Sequence, residues 1–391
     1  MNTLKDKAAI VGLYATEYLP VSTRQPLELA LEAITGAVAD AGLSTKDIDG
    51  IVRYTIDGTG NDQILAANLG VKDLAFSVEI PFYGGSACAA VGAAAAAVAS
   101  GLAECIVVYR AYTPYDMQDF AKRNSATVWS RDVGVADFMR PYGWLSMMDT
   151  YALTFEAHSA KYGTTTEQLG AIAVAIRKCA NRNPAAILRD VPLTFDDHRN
   201  ARLVSGRLTV DDVTLSAGDG GCAVVVTSAE KARSLRHTPA YVAAAASGLG
   251  PDPSLMWEMR LFRPDPTVST AAFAAPRLYK MAGITPKHID VAEIYDCSTV
   301  NVLLQLEDYG FCGKGDGGPF VMDGNVELDG ELPITTSGGM LAEAPLHGFN
   351  HVLEGVRQIR GTSSSQVKDA EFVLVTSSVP TPTSALVLKR R

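Results

Sequence analysis

The six cysteines, at positions 88, 105, 179, 222, 297 and 312, include no Cys-x-x-Cys pair. Neither a zinc ribbon nor a disulfide framework is indicated, and no metal site is expected. Positive charge is also in deficit: 34 lysines and arginines against 43 acidic residues leave a net charge of −9. That balance advertises no basic surface for nucleic acid or an anionic membrane, and neither partner is expected, while a net charge, being only a sum, leaves a local anion site open. Long apolar runs are missing too. The longest, around Cys88 to Ala99, is alanine-dominated and shorter than the roughly 20 residues that span a bilayer, so it reads as a buried helix. The first residues, Met1 to Lys7, lack the apolar stretch and cleavage site of a signal peptide, and a cytoplasmic protein is expected. The Gly-Asp-Gly-Gly stretches at 218–221 and 315–318 lack the lysine and spacing of a phosphate loop and read as turns.

What is present is ordinary globular material, 47% hydrophobic and 20% charged, in a chain of 391 residues. A single core rarely grows beyond roughly 250–300 residues, so two structural halves are expected. An amphipathic helix pattern from about Pro26 to Ala41 stops at Gly42, and the text Ala41-Gly42-Leu43-Ser44-Thr45-Lys46-Asp47-Ile48-Asp49 returns as Ala282-Gly283-Ile284-Thr285-Pro286-Lys287-His288-Ile289-Asp290. The offset is a constant 241 residues, which marks a duplicated unit. In each copy a helix feeds a buried strand: Gly84–Ser100 into Cys105–Tyr109, and His347–Arg360 into Phe372–Val375. Parallel strands with crossover helices fit that order, and Cys222–Val226 and Ala385–Leu388 close the copies. The halves are placed at 1–240 and 241–391. Residues 112–215 are extra in the first, with aromatic-rich text (Tyr142, Trp144, Tyr151) and a helix ending in Lys161-Tyr162-Gly163 that suits a substrate-facing insertion.

Three stretches carry chemistry. Gly84-Gly85-Ser86-Ala87-Cys88 opens a helix, where backbone N–H groups can face an anion or oxyanion, although the same small residues permit close helix packing. Cys88 lies inside that alanine helix and reads as a buried structural thiol. Val291 to Cys297 is a buried strand ending in a polar cluster, and strand C-terminal ends are where ligands usually bind in α/β sheets. There Tyr295 suits an acid, base or oxyanion donor, or a ring that packs with its hydroxyl tethered, and Asp296 suits an N-terminal helix cap. Ser337-Gly338-Gly339 makes a turn ahead of Pro345-Leu346-His347-Gly348-Phe349-Asn350-His351. His347 and His351 are spaced to share a helix face, which leaves metal binding, acid–base work and a structural role open. No glutamate follows His347 as a zinc-protease pattern requires.

Several blocks together resemble the thiolase superfamily over almost the whole chain, in particular the branch that includes the thiolase domain of sterol carrier protein x. They are Phe155 to Thr164, Asn200-Ala201-Arg202-Leu203 through Leu208-Thr209, Gly218 to Gly221, Tyr295-Asp296-Cys297 through Leu306-Glu307-Asp308-Tyr309-Gly310, and Ser337-Gly338-Gly339. The resemblance implies an α/β duplicated thiolase fold, two mixed sheets layered with helices around a central helical layer, usually as a tight homodimer.

The departures decide the expected chemistry. The thiolase nucleophile's position falls on Gly84, the Gly-His-Pro motif on Ala344-Pro345-Leu346, and the late cysteine loop on Val379-Pro380-Thr381-Pro382-Thr383. Acyl-enzyme chemistry is therefore not expected. The pattern resembles the thiolase-like aldolases of bacterial steroid side-chain degradation, called lipid-transfer proteins, through Tyr295, Glu343, His347-Gly348 and Val356 to Gly361. That resemblance implies retro-aldol cleavage of a β-hydroxyacyl-CoA, with a coenzyme A thioester as substrate and no covalently bound cofactor. It also implies a small OB-fold partner with a zinc ribbon. Tyr295 falls on a tyrosine those aldolases use, while their second catalytic tyrosine falls on Pro345, which has no proton to exchange. His347 is expected to take over its task, with Gly84, Gly338, Gly339 and Gly348 as the oxyanion- and substrate-binding positions. The rival expectation is a non-catalytic acyl-CoA-binding subunit of a heteromer.

Overall fold

The computed structural model describes residues 4–21, 24–54, 59–113, 140–144, 146–215, 218–251, 263–378 and 382–391. The first strands and helices are β1 (Ala8–Ala15), α1 (Pro26–Asp40), β2 (Gly50–Tyr54), α2 (Asp62–Leu69), β3 (Phe76–Ile80), α3 (Ser86–Ala99) and β4 (Cys105–Tyr112). A mostly helical stretch follows, with α4 (Met147–Tyr162), α5 (Thr166–Ala180), α6 (Phe195–Asn200) and a short hairpin of β5 (Leu203–Ser205) and β6 (Leu208–Thr209). Then come β7 (Gly220–Ser228), α7 (Ala229–Ala232), β8 (Ala240–Gly248), α8 (Ala271–Ala282), β9 (Val291–Glu293), α9 (Thr299–Asp308), α10 (Gly317–Met322), α11 (Phe349–Arg360), β10 (Phe372–Ser378) and β11 (Thr383–Lys389).

Strand order shows the duplication. One half runs β3-β2-β4-β7-β1, with β2 parallel to β3 and β4 and with β7 antiparallel to both its neighbours. The other runs β9-β10-β11-β8, with β9 parallel to β10 and β11 antiparallel to β10 and β8. A parallel bridge from Ile334 to Ala292 on β9 takes the place that β3 holds beside β2. The two mixed sheets meet at their β1 and β8 edges through only two residue pairs, Ala9 with Tyr241 and Ile10 with Ala240. The order is thus continuous across nine strands, while the packing is that of two sheets.

Between the sheets lie α3 and α11, which touch each other and strands of both halves. That is the central helical layer expected for the duplicated thiolase fold. The sequence of α3 explains how it fits: serine, alanine and glycine leave a thin helix that is buried nearly all round. A Cβ added to Gly92 would come within 2.9 Å of Ala245 on β8. In α11, Val352, Leu353, Val356 and Ile359 are fully buried, each worth about 1.5–3 kcal/mol relative to exposure. The outer α1 buries Leu29, Ala30, Ala33, Ile34, Ala37 and Val38 along one stripe and stops at Gly42, whose φ of 75° a side chain would disfavour.

Two serines tie α3 to the other half. Ser377 Oγ donates to Gly84 O at 2.6 Å and accepts from Ala87 N at 3.1 Å; Ser384 Oγ donates to Gly85 O at 2.5 Å and accepts from Ala89 N at 3.0 Å. Gly84, Gly85 and Ala87 are buried and Ala89 is partly buried, and an unmet hydrogen bond in the interior costs about 1–3 kcal/mol. Ser377→Ala and Ser384→Ala are therefore each expected to lower the free energy of unfolding by that order, and the double variant by more than either. Urea titration followed by circular dichroism measures this.

The glycine stretches differ from the expectation of simple turns. Asp219 is buried and binds Arg24 through both carboxylate oxygens, and Gly220-Gly221 already belong to β7. Gly317-Gly318 open α10. The extra stretch of the first half is not confined to a surface excursion either, because α5 packs on α9, α10 and the turn at Gly339–Glu343. Residues 114–139 of that stretch lie outside the described residues. Among the described residues no helix is long and apolar enough to cross a membrane.

Candidate active site

Beyond β9 the chain runs Ile294, Tyr295, Asp296 and Cys297 into α9. Tyr295 is 1% exposed and anchored through its backbone: its N donates to Thr376 Oγ1 at 2.8 Å, and its O accepts from Asn301 Nδ2 at 3.0 Å and Gln305 Nε2 at 2.8 Å. The ring stacks on His351 with centroids 6.2 Å apart. It also lies so close to Gly348 that a Cβ there would fall 2.5 Å from Tyr295 Cδ2. A glycine at 348, with φ of 79°, is what lets the tyrosine ring occupy this place.

Asp296 acts at a distance. Ser298 caps α9, its Oγ accepting from Asn301 N at 3.1 Å, which corrects the expectation that Asp296 caps the local helix. Asp296 is fully buried and instead accepts from Met340 N at 2.8 Å and Leu341 N at 3.1 Å, closing the turn Gly339–Glu343, with His351 Nε2 3.0 Å from its Oδ1. Gly338 and Gly339, with φ of 102° and 54°, make this turn possible: a side chain on Gly338 would strike Ala180 of α5, and one on Gly339 would strike Asp296 itself. Their amides are engaged inside the turn, Gly338 N with Thr335 O and Gly339 N with Ser337 Oγ. In this structure the two glycines shape the backbone of the turn.

His347 precedes α11 in a left-handed conformation, φ 51°, followed by Gly348. It does not share a helix face with His351, since only His351 is on the helix; the spacing of four that suggested a metal pair comes from a turn plus a helix. Among the described residues no three histidines, cysteines or carboxylates converge to hold a metal. His347 is half-buried, its Nδ1 lies 3.2 Å from an Nη of Arg110, and its ring meets Tyr112 edge-on at 5.5 Å. Burial, with the Arg110 charge beside it, pushes the imidazolium pKa down to about 3, so the ring is neutral at pH 7.

Gly84 completes the group. Its carbonyl is held by Ser377 Oγ, which would also stand 3.7 Å from a Cβ on Gly348. The fold therefore brings Gly84, Tyr295, His347 and Gly348 to one place, with Gly338 and Gly339 one contact behind through Asp296. Cys88 is fully buried, its thiol donating to Val375 O at 3.4 Å, and burial raises its pKa well above the usual thiol range. It is no thiolate nucleophile. Pro345 is buried next to the site.

Residues 257–388 match the thiolase C-terminal domain-like family. The whole chain is 39% identical over 388 residues to the 17-hydroxy-3-oxo-4-pregnene-20-carboxyl-CoA lyase of Mycobacterium tuberculosis, covering 98% of this chain and 100% of that one. It is 39% identical over 391 residues to the steroid side-chain-cleaving aldolase of Thermomonospora curvata, covering 99% of each. The solved Ltp2-ChsH2(DUF35) aldolase superposes with a TM-score of 0.91 at 38% identity over 99% of each chain. The chain belongs to the thiolase-like steroid side-chain aldolases.

In this thiolase-like aldolase, a carbon–carbon lyase, the residues that sequence reading missed are those whose partners lie in the other half. Arg110 is a charged residue in the otherwise uncharged β4, and that contrast was a visible signal; its partner 237 residues away was not. Ser377 and Ser384 carried no signal at all. A buried carboxyl cluster behind the site also went unread. Glu343 accepts from Ser337 Oγ at 2.6 Å, Asn350 Nδ2 at 2.9 Å and Asn183 Nδ2 at 3.1 Å, and burial raises its pKa. Thr336 Oγ1 lies 2.6 Å from Glu293 and 3.0 Å from Glu354 while accepting from Gln358 Nε2 at 2.8 Å. One hydroxyl hydrogen cannot serve two carboxylates, so one carboxyl carries a proton. Burial, with Glu354 beside it, raises the pKa of Glu293.

Proposed function

We propose that this aldolase cleaves the Cα–Cβ bond of a β-hydroxyacyl-CoA of the steroid side-chain class by retro-aldol reaction, in the cytoplasm, without a covalent enzyme intermediate. The β-hydroxyl loses its proton and becomes a carbonyl as the Cα–Cβ electrons pass to the thioester enolate. The enolate carbon then takes up one proton and leaves as the shortened acyl-CoA. Proton lost and proton gained balance, so one side chain that accepts and returns a proton suffices. We assign that exchange to Tyr295, with His347 beside it and Gly84 and Gly348 giving the substrate close approach to backbone.

The observation that carries this reading is the buried Tyr295 packed on Gly348 next to a neutral His347, in a fold whose Cys88 is held as a buried thiol. The two relatives, a carboxyl-CoA lyase and a side-chain-cleaving aldolase, support the substrate class. The solved relative is an Ltp2 aldolase together with ChsH2(DUF35). On that support we infer a small partner of this type for the present chain, with an OB-fold and zinc ribbon, on a homodimeric core.

A second reading, an acyl-CoA-binding subunit without chemistry, is favoured by Pro345 at the second tyrosine's position. The chain co-expressed with its partner and presented with a panel of β-hydroxyacyl-CoAs separates the two. An aldolase releases a ketone or aldehyde and a shortened acyl-CoA in equal amounts; a scaffold binds acyl-CoA and releases neither.

A further inference from the structure

We propose that Arg110 is a positioning residue that fixes His347 as a neutral Nε2–H donor, and that this donor stands in for the missing tyrosine by holding the thioester enolate oxygen. The donor role rests on the aldolase reading above; the fixed tautomer does not.

The inference follows from donor and acceptor chemistry. A guanidinium group has five N–H donors and no acceptor, so across the 3.2 Å contact between an Arg110 Nη and His347 Nδ1 the imidazole nitrogen must accept. A ring that accepts at Nδ1 and is neutral carries its one hydrogen on Nε2. The pairing is built rather than incidental. Arg110 is 1% exposed, its other Nη bonds the carbonyl of Ala111, and its guanidinium carbon stands 5.6 Å from the Tyr112 ring. That same Tyr112 ring meets His347 edge-on, so arginine, tyrosine and histidine brace one another at the end of β4. The backbone of His347 is held in the left-handed region ahead of α11, one residue before the Gly348 on which the Tyr295 ring sits.

A neutral Nε2–H donates a hydrogen bond without giving up its proton, which suits an oxygen whose negative charge appears only after the carbon–carbon bond breaks. Tyr295 keeps the proton exchange. Pro345 then matters less: the chain has lost a hydroxyl at that position but presents a fixed N–H two residues later.

The test is heteronuclear NMR on protein labelled with ¹⁵N-histidine at pH 7, with the labelled His347 signals assigned by the His347→Asn variant. The expected result is a hydrogen-free Nδ1 and a hydrogen-bearing Nε2. In turnover assays of the complex with its partner, Arg110→Met is expected to lower kcat by about 10²–10³ with KM little changed, the loss typical of one oxyanion donor. Arg110→Lys, which still donates at this position, is expected to recover part of the rate. A hydrogen on Nδ1 in the wild-type protein overturns the proposal, and so does an Arg110→Met variant with the kcat of wild type. Should Arg110→Met fail to fold, the wild-type spectrum and Arg110→Lys still decide. Wild-type protein that shows the expected tautomer but turns over no acyl-CoA refutes the donor role together with the aldolase reading, while the Arg110–His347 pairing stands.

Discussion

Tyr295→Phe is expected to lower kcat for carbonyl release by about 10²–10⁴, the range for loss of a positioned general acid–base group, with the fold intact. The substitution removes one oxygen and nothing else. The backbone N and O of Tyr295 are held by Thr376, Asn301 and Gln305, and phenylalanine keeps those three bonds. The ring also keeps its stacking on His351 and its seat on Gly348. Loss of rate therefore reports on the hydroxyl alone. Single-turnover measurement of ketone or aldehyde release, alongside a thermal melt, separates the two effects. Wild-type rate in this variant would remove Tyr295 from the proton exchange and move the chemistry elsewhere in the site.

Asp296→Ala is expected to be the most destabilising single change near the site, by about 2–6 kcal/mol. The reason is that it strands the buried amides of Met340 and Leu341, each worth about 1–3 kcal/mol when unpaired. Against a typical total of about 5–15 kcal/mol, such a loss approaches unfolding. Asp296→Asn keeps one acceptor oxygen and is expected to cost clearly less. Urea denaturation of the two variants measures both values. Equal and small losses would mean that the turn Gly339–Glu343 is held by Ser337 and the glycines without the carboxylate. The same substitution should disturb activity, because that turn leads directly into Pro345, His347 and Gly348.

These two residues, adjacent in the chain, show how far local reading goes. The strand ending in a polar cluster was legible, because a run of buried residues followed by tyrosine, aspartate and cysteine has a characteristic local pattern. What Asp296 binds was not legible: its best local use, capping the next helix, is taken by Ser298, and its actual donors lie more than forty residues on in sequence. His347 and His351 carry the same lesson in reverse. Their spacing of four suggests one helical face, but a left-handed turn at 347 and 348 begins the helix two residues after His347 and separates their roles.

Local chemistry was sufficient for what repeats along the chain: helix stripes, glycine stops, buried strands and the 241-residue echo, since each depends on neighbours a few residues apart. From these came the duplicated α/β architecture, and from the missing nucleophile and absent histidine motif came the departure from thiolase chemistry. Only the tertiary structure decided that α3 is stapled by Ser377 and Ser384, that Asp296 closes the turn after Gly338 and Gly339, and that Arg110 meets His347. Each of these is a hydrogen bond or close contact between the ends of different strands and helices, brought together by the packing of two sheets on one helical layer. A single sequence encodes the conformational preference of each segment, whereas which polar group meets which is set by where the assembled segments end.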